Sequence, residues 1–183
     1  MTRTIKFIEK KDVEKILGSI KFKRDNDRRD HALITVLFST GMRIHEALAL
    51  DADEMRLLVE EKGTSEFPII GKGGKQRVVF FSRSTKDAIA KHLEKRKHDS
   101  ELLFPISPRQ AQRAIKKRAE WVGLGAWITP HKLRHSFATH VLRAGGNMRV
   151  VQELLGHSSI ATTQIYAGVT NRDLLEQHRK VYD

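Results

Sequence analysis

Six side chains have the types that phosphoryl transfer without a metal ion would require. They are Arg43, Lys72, His131, Arg134, His157 and Tyr166. Guanidinium groups can clamp the non-bridging oxygens of a phosphodiester, and an ammonium group can give a proton to a departing alkoxide. A phenol that attacks phosphorus forms a covalent phosphotyrosyl link. Ionising a free phenol of pKa near 10 at pH 7 costs about 4 kcal/mol, which a nearby imidazole and the two guanidinium groups can offset.

Two of these candidates share a face of one predicted helix. Thr129 is a typical N-cap residue, and Pro130 is a typical first residue of a helix. His131 and Arg134 follow at a spacing of three, so both side chains are expected on the same side, one turn apart.

The remaining histidine and the tyrosine come after the next predicted helix. Asn147 can cap a short helix that has an apolar face, and Gly156 would end this helix. His157 is then just past a helix end, where its side chain can be directed into a site. Tyr166 follows nine residues later, on a last predicted helix.

The first half of the chain predicts a buried helix followed by a small sheet. The helix would begin near Asn26 or Asp27 and end at Gly41, because "HALITVLFST" is dense in apolar residues. Residues 43–50 predict a short helix directly after it. The segments "MRLLVEE", "EFPII" and "QRVVFF" favour three antiparallel strands, with residues 71–75 at one hairpin tip. The sequence therefore predicts an α+β fold that is mainly α-helical, with a small three-stranded antiparallel sheet.

The helix predicted over residues 108–122 has one strongly basic face. At about 100° per residue, Arg109, Arg113, Lys116 and Lys117 share one side, and alanine, isoleucine and valine lie opposite. Such a helix would dock on a core and direct its charge toward phosphates or a DNA groove. An ordinary solvated surface is the alternative.

The composition favours a polyanionic partner. The 183 residues include 34 lysines and arginines against 22 aspartates and glutamates, a net charge of +12. Nucleic acid is the leading candidate, although a basic surface without a partner stays open. The absence of cysteine excludes disulfides and thiolate metal sites. With neither a membrane-length apolar run nor a signal peptide, we expect one cytoplasmic, nucleoid-associated domain and no membrane partner.

Two other interpretations of the motifs are weaker. His131 and His135 are four residues apart, as in some zinc sites, but basic residues between them would repel a dication, so no metal is predicted. The loop "GKGGK" lacks the Walker pattern of a nucleotide-binding loop. As a plain hairpin turn, this loop does not by itself distinguish Lys72 from Lys75.

Four segments resemble the signature boxes of the tyrosine recombinases, also called phage integrases, and particularly their Xer-like branch. They are "TGMRIHEALAL", "GKGGKQR", "TPHKLRHSFATHVL" and "LGHSSIATTQIY". The family's order of Arg, Lys, His-x-x-Arg, His or Trp, and Tyr falls on the six candidates. The resemblance runs from about Phe7 to the C-terminus.

The resemblance implies a role for each cationic candidate. Arg43 and Arg134 would hold the scissile phosphate, with support from His157. Lys72 would protonate the 5′-oxygen of the leaving strand.

The resemblance also implies that Tyr166 is the nucleophile. His131 would act as its general base, and a 3′-phosphotyrosyl intermediate would form, which a 5′-hydroxyl then attacks. No metal, ATP or other cofactor would take part. Glu46 would support Arg43, and His135 would be structural.

The implied partners are double-stranded DNA and other copies of the chain, as a tetramer on two duplexes. Residues 169–183 would be exchanged between subunits. Because the match begins almost at Met1, we expect residues 1–183 to be a single catalytic domain without the family's N-terminal core-binding domain. That domain, or an accessory protein, would be a separate partner. Two alternatives stay open: a type IB topoisomerase-like DNA-relaxing enzyme, and a non-catalytic DNA-binding regulator of the same fold.

Overall fold

The computed structural model describes residues 7–71, 74, 76–96, 99–156 and 169–183. Within these ranges the chain forms nine helices and two strands. The helices are α1 (Lys10–Gly18), α2 (Asp25–Thr40), α3 (Ile44–Leu48), α4 (Ala52–Glu60), α5 (Arg83–Glu94), α6 (Pro108–Trp121), α7 (Pro130–Arg143), α8 (Met148–Leu155) and α9 (Asn171–Tyr182). The strands are β1 (Ser65–Ile70) and β2 (Gln76–Phe81). The mainly helical α+β class is confirmed.

The described sheet has two strands, and the prediction of a third at residues 55–61 is wrong. β1 and β2 pair antiparallel, from Ser65 opposite Phe81 to Ile70 opposite Gln76. The segment predicted as the first strand lies in α4 and just beyond it. Asp51 caps this helix by accepting hydrogen bonds from the backbone N–H groups of residues 53 and 54. Ala52, Met55 and Leu58 are buried at helical spacing, and capping with helical burial outweighs the strand propensity of "LLVE".

The predicted central helix is confirmed as α2. Its residues Leu33, Ile34 and Leu37 are fully buried, and the helix contacts both α5 and α7. It begins slightly before the predicted N-cap, because Asp27 accepts from the backbone N–H groups of residues 23 and 24, which precede the helix. Gly41 ends the helix with φ 65°. The chain then turns directly into α3.

Three predicted helix starts are confirmed by their caps. The side chain of Ser107 accepts from the N–H of residue 110, that of Thr129 from residue 132 and that of Asn147 from residue 150. Pro108 and Pro130 occupy the first turns of α6 and α7. These caps fix the phase of each helix, and therefore the face on which each candidate side chain lies.

The described elements pack around two apolar clusters. The larger one gathers residues from α1 through α6 with the start of α7. The smaller one joins β2, α7, α8 and α9, and includes Phe80, Phe137 and Leu154. None of the helices in the described ranges is long and apolar enough to cross a membrane.

Helix α9 packs on the core of its own chain. His178 is fully buried and its Nε2 donates to the backbone carbonyl of Ser39 at 2.8 Å. The ring of Tyr182 stacks on that of Phe137, with centroids 5.5 Å apart. Exchange of this segment between subunits stays a prediction.

Candidate active site

A buried carboxylate joins two arginines at the start of α3. The backbone N–H of Arg43 donates to Oε2 of Glu46 at 2.7 Å, and its Nη1 donates to Oε1 at 3.0 Å. Arg77 of β2 donates through Nη1 and Nη2 to the two carboxylate oxygens, each at 2.8 Å. The side chains of Glu46 and Arg77 are 7% and 8% exposed. Glu46 thus holds one arginine from its own helix start and one from the sheet.

This arrangement sets the charge of Glu46. Burial alone would raise its pKa, but hydrogen bonds from Arg77 and Arg43 and the charge of Arg77 outweigh burial. The pKa of Glu46 falls from 4.5 to about 2. Glu46 is therefore ionised at neutral pH and can hold both guanidinium groups.

Arg43 is the more open of the two arginines. Its side chain is 36% exposed, and within the described ranges it bonds only to Glu46, through Nη1. No other described side chain or carbonyl accepts from the remaining N–H donors of this guanidinium, which suits them to bind a ligand. The short carboxylate contact limits its orientation, so it is partly preorganised to bind an anion.

Arg134 lies buried on α7 and connects two other segments. Its Nη1 donates to the carbonyl of Gly41 at 2.5 Å, and its Nη2 donates to the carbonyl of Leu155 at 2.6 Å. Burial, followed by repulsion from Arg43 and Arg77, lowers the pKa of Arg134 from the usual range of arginine to about 10. Arg134 still carries its charge at neutral pH. Arg43 and Arg77 bind one carboxylate, and Arg134 lies close enough for its pKa to respond to all three charges. The cluster of three arginines and one glutamate carries an excess of two positive charges.

The turn between α2 and α3 lies directly against α7. A Cβ on Gly41 would come within 2.5 Å of Cδ1 of Phe137, and the φ of 65° also favours glycine. The close approach brings Arg43, two residues later, to the helix that carries Arg134.

The two histidines of the α7 box lie in different surroundings. His131 is exposed in the first turn of the helix, whereas His135 is half-buried. Burial, and then the nearby charges of Lys132 and His131, lower the pKa of His135. Within the described ranges, no group of three or more histidine, aspartate or glutamate side chains could hold a metal ion.

Three of the six candidates, Lys72, His157 and Tyr166, lie outside the described residues. The structure describes the residues that directly precede two of them. Gly71 follows β1 and precedes Lys72, and Gly156 follows α8 and precedes His157. A Cβ on Gly156 would lie 2.6 Å from Cδ of Arg77, so Gly156 itself adjoins the arginine cluster.

Helix α6 exposes the predicted basic face. Arg109, Arg113, Lys116 and Lys117 are all exposed, while the opposite side, including Ile115, is buried. A further cation of this helix, Arg118, is buried instead and pairs with Asp27 and Asp30 of α2 at 2.6 and 2.8 Å. These ion pairs fix the helix on the core and hold its four exposed cations outward.

Sequence reasoning did not single out Arg77, although it belongs to the quoted "GKGGKQR" segment. An arginine beside a glycine-rich turn has the pattern of a solvated strand residue. The sequence signal that could have found it is its place in a strand whose neighbours are apolar, which indicates a half-buried position that requires a charge partner.

Comparison with known proteins agrees with this geometry. A model of the phage integrase family matches residues 6–172. The chain belongs to the phage integrase family. As an integrase-family chain it has several similar relatives. It is 44% identical to the tyrosine recombinase XerD of Corynebacterium glutamicum, over 84% of this chain and 52% of the relative. It is 42% identical to XerC of Haemophilus influenzae, over 86% of this chain and 53% of the relative.

Solved structures of the family share the fold. The crystal structure of XerA recombinase superposes with a TM-score of 0.69 at 29% identity, covering 96% of this chain and 64% of the other. XerH bound to difH substrate gives 0.69 at 27% identity, covering 93% and 52%. The predicted tyrosine recombinase catalytic-domain fold is confirmed. This integrase-family chain spans about half the length of the curated relatives it matches.

Proposed function

We propose that this chain is the catalytic domain of a site-specific DNA recombinase that cuts and rejoins strands through Tyr166. The observation that carries the proposal is the cluster in which Arg43 and Arg77 bind the carboxylate of Glu46 while the charge of Arg134 lies nearby. A partly buried excess of positive charge is suited to a phosphodiester, and an open guanidinium on Arg43 can bind its non-bridging oxygens. The family membership and the similar XerH, solved with difH substrate, support the same assignment.

Cleavage transfers one phosphoryl group from a DNA oxygen to a protein oxygen. The phenolic oxygen of Tyr166 attacks the phosphorus and passes its proton to His131. The bond between phosphorus and the 5′-oxygen breaks, and Lys72 gives a proton to that oxygen. The products are a 3′-phosphotyrosyl link and a free 5′-hydroxyl.

Charge stabilisation lowers the barrier to this step. Arg43 and Arg134 bind the non-bridging oxygens, with His157 in support, and removal of one such donor typically costs about 10²–10³ in rate. Rejoining reverses the step, with the 5′-hydroxyl of another strand as the nucleophile. The phosphotyrosyl link conserves the bond energy, so ATP is not required.

DNA would be held by the exposed cations of α6 together with the overall charge of +12. Strand exchange between two duplexes requires four cleavage events, so a homotetramer on DNA is the proposed working state. A core-binding domain or accessory protein would supply the rest of the clamp. Because its proposed substrate is DNA, we expect the protein to act in the cytoplasm, at the nucleoid.

A metal-free plasmid assay tests this function. The chain is incubated with supercoiled plasmid in EDTA, stopped with detergent, and assayed for relaxation and protein-linked DNA. Wild type is expected to form the link and Tyr166→Phe to form none. Tyr182→Phe is the matched control, because it removes the other phenol of the chain. The hydroxyl of Tyr182 is buried against the core, so this substitution should leave linkage intact.

The same assay separates the alternatives. A relaxing enzyme of type IB would act on one site per event, whereas a recombinase requires two. Absence of linkage with DNA binding intact, persisting after a core-binding domain from a similar recombinase is added, would contradict the proposal and favour a non-catalytic regulator.

A further inference from the structure

Arg77 of β2 lies where the start of α3 and the end of α8 meet the sheet. It belongs to β2, directly after the hairpin that carries Lys72. Its two terminal nitrogens bind Glu46 of α3, and its Nε donates to the carbonyl of Leu154 in α8 at 3.2 Å. One buried guanidinium therefore bonds both to Glu46, which holds Arg43, and to the end of α8.

The end of α8 is held by two arginines on consecutive carbonyls. The last carbonyls of a helix lack partners within the helix and carry a partial negative charge. Arg77 binds that of Leu154 at 3.2 Å, and Arg134 binds that of Leu155 at 2.6 Å. The chain then leaves through Gly156 at φ 62°, with Cδ of Arg77 filling the space that a Cβ would need. Arg77 thus packs directly against Gly156, the residue that precedes His157 in the sequence.

We propose that Arg77 is a positioning residue for strand cleavage, which fixes Arg43, through Glu46, relative to the end of α8. This inference rests on the proposed function. Arg77 acts without touching the substrate: it sets the distance between the clamp on the phosphate and the segment that continues to His157 and Tyr166. Misplacement of reacting groups by about 1 Å can cost about 10²-fold in rate.

A lysine at this position could not replace the arginine. Its single ammonium group can neutralise Glu46, but it lacks the planar set of donors that binds two carboxylate oxygens and a carbonyl at once. Arg77→Lys therefore keeps the positive charge but loses the simultaneous hydrogen bonds to Glu46 and Leu154.

The test measures the rate of covalent linkage at saturating DNA, the Kd for DNA and the thermal unfolding midpoint. For Arg77→Lys we expect a linkage rate lower by about 10–10²-fold, with a Kd within about twofold of wild type. A purely structural defect would lower the unfolding midpoint and the fraction of protein that binds, without slowing linkage in the bound fraction. Arg83→Lys, at an exposed position at the start of α5, is the matched control. It should leave the linkage rate, the Kd and the unfolding midpoint unchanged.

A second pair of variants keeps the test decisive if Arg77→Lys does not fold. Glu46→Gln with Arg77→Met replaces the ion pair by neutral side chains, a change that buried pairs often tolerate. It should link DNA at least about 10-fold more slowly than Glu46→Gln alone, because only the double variant lacks the bond to Leu154. Equal rates would show that Arg77 only neutralises Glu46.

The outcomes separate the inference from the function on which it rests. If wild type forms the link and Arg77→Lys forms it equally fast at saturating DNA, the positioning role is overturned and the proposed function stands. If wild type binds DNA but forms no link even with the added core-binding domain, the proposed function fails, and the positioning role fails with it.

Discussion

Gly41 accepts a hydrogen bond from Arg134 through its carbonyl, and the Cα of Gly41 lies against the ring of Phe137. A single residue thus holds the turn before Arg43 on the helix that carries Arg134. Both the space and the positive φ at this position require glycine.

Substitution of Gly41 should reveal this packing. Gly41→Ala is expected to lower the free energy of unfolding by about 1–3 kcal/mol more than Gly63→Ala. Gly63 has a similar φ of 71°, but its added Cβ would meet nothing within 4 Å. Both variants incur the cost of the left-handed conformation, about 1–2 kcal/mol, and only the first adds the clash with Phe137. Denaturant unfolding measures both, and equal decreases would contradict the close packing of the turn.

Residue types alone indicated the chemistry but not the whole arrangement. The arginine, lysine, histidine and tyrosine boxes can be read from the sequence because each side chain has a distinct chemical use. The partner of Glu46 could not be read in the same way. Arg77 is 31 residues away, and only the pairing of β1 with β2 brings it to α3.

At the scale of elements, the sequence predicts helices well where the caps are local. Ser107, Thr129 and Asn147 start their helices as expected, since a cap depends on a side chain and a backbone only three residues apart. The strand predicted at residues 55–61 failed because short apolar runs fit helix and strand alike. The cap at Asp51 and packing against α5 stabilise this segment as helix α4.

Helix α6 should carry much of the salt dependence of DNA binding. Replacing Arg109, Arg113, Lys116 and Lys117 by glutamine should weaken binding and reduce the slope of log K against log salt by about 0.9 for each DNA phosphate that these cations neutralise. The control replaces four exposed cations in or beside other helices, Arg56, Lys95, Arg172 and Lys180. Both variants remove four charges from the same +12, so only the location of the removed charge differs. Equal slopes in the two variants would contradict DNA binding by α6.

At the scale of the molecule, His178 ties the last helix to α2. Its Nε2 donates to the carbonyl of Ser39, which favours the charged ring, but burial outweighs this bond and favours the neutral ring. Burial lowers the pKa of His178 from 6.5 to about 4. The unfolded chain therefore takes up the proton at a higher pH than the folded chain. The stability contributed by this residue is complete above about pH 6.5 and is lost as the pH falls toward about 4.

The pH dependence of unfolding tests this link. Between pH 7 and pH 4 the decrease in unfolding free energy attributable to His178 should be about 3 kcal/mol. His178→Gln can keep a donor to Ser39 without titrating, so its unfolding free energy should fall less over this range. His45→Gln, at an exposed position of α3, should retain the wild-type slope. An unchanged slope in His178→Gln would contradict a buried neutral histidine.

The most direct measurement of the central claim is the identity of the residue that becomes linked to DNA. Wild-type protein is incubated with plasmid in EDTA, denatured and digested with nuclease and protease, and the nucleotide-bearing peptide is sequenced by mass spectrometry. We expect the nucleotide on Tyr166, attached through its 3′-phosphate. A nucleotide on Tyr182 or on another residue, or a link that persists in Tyr166→Phe, would contradict this expectation.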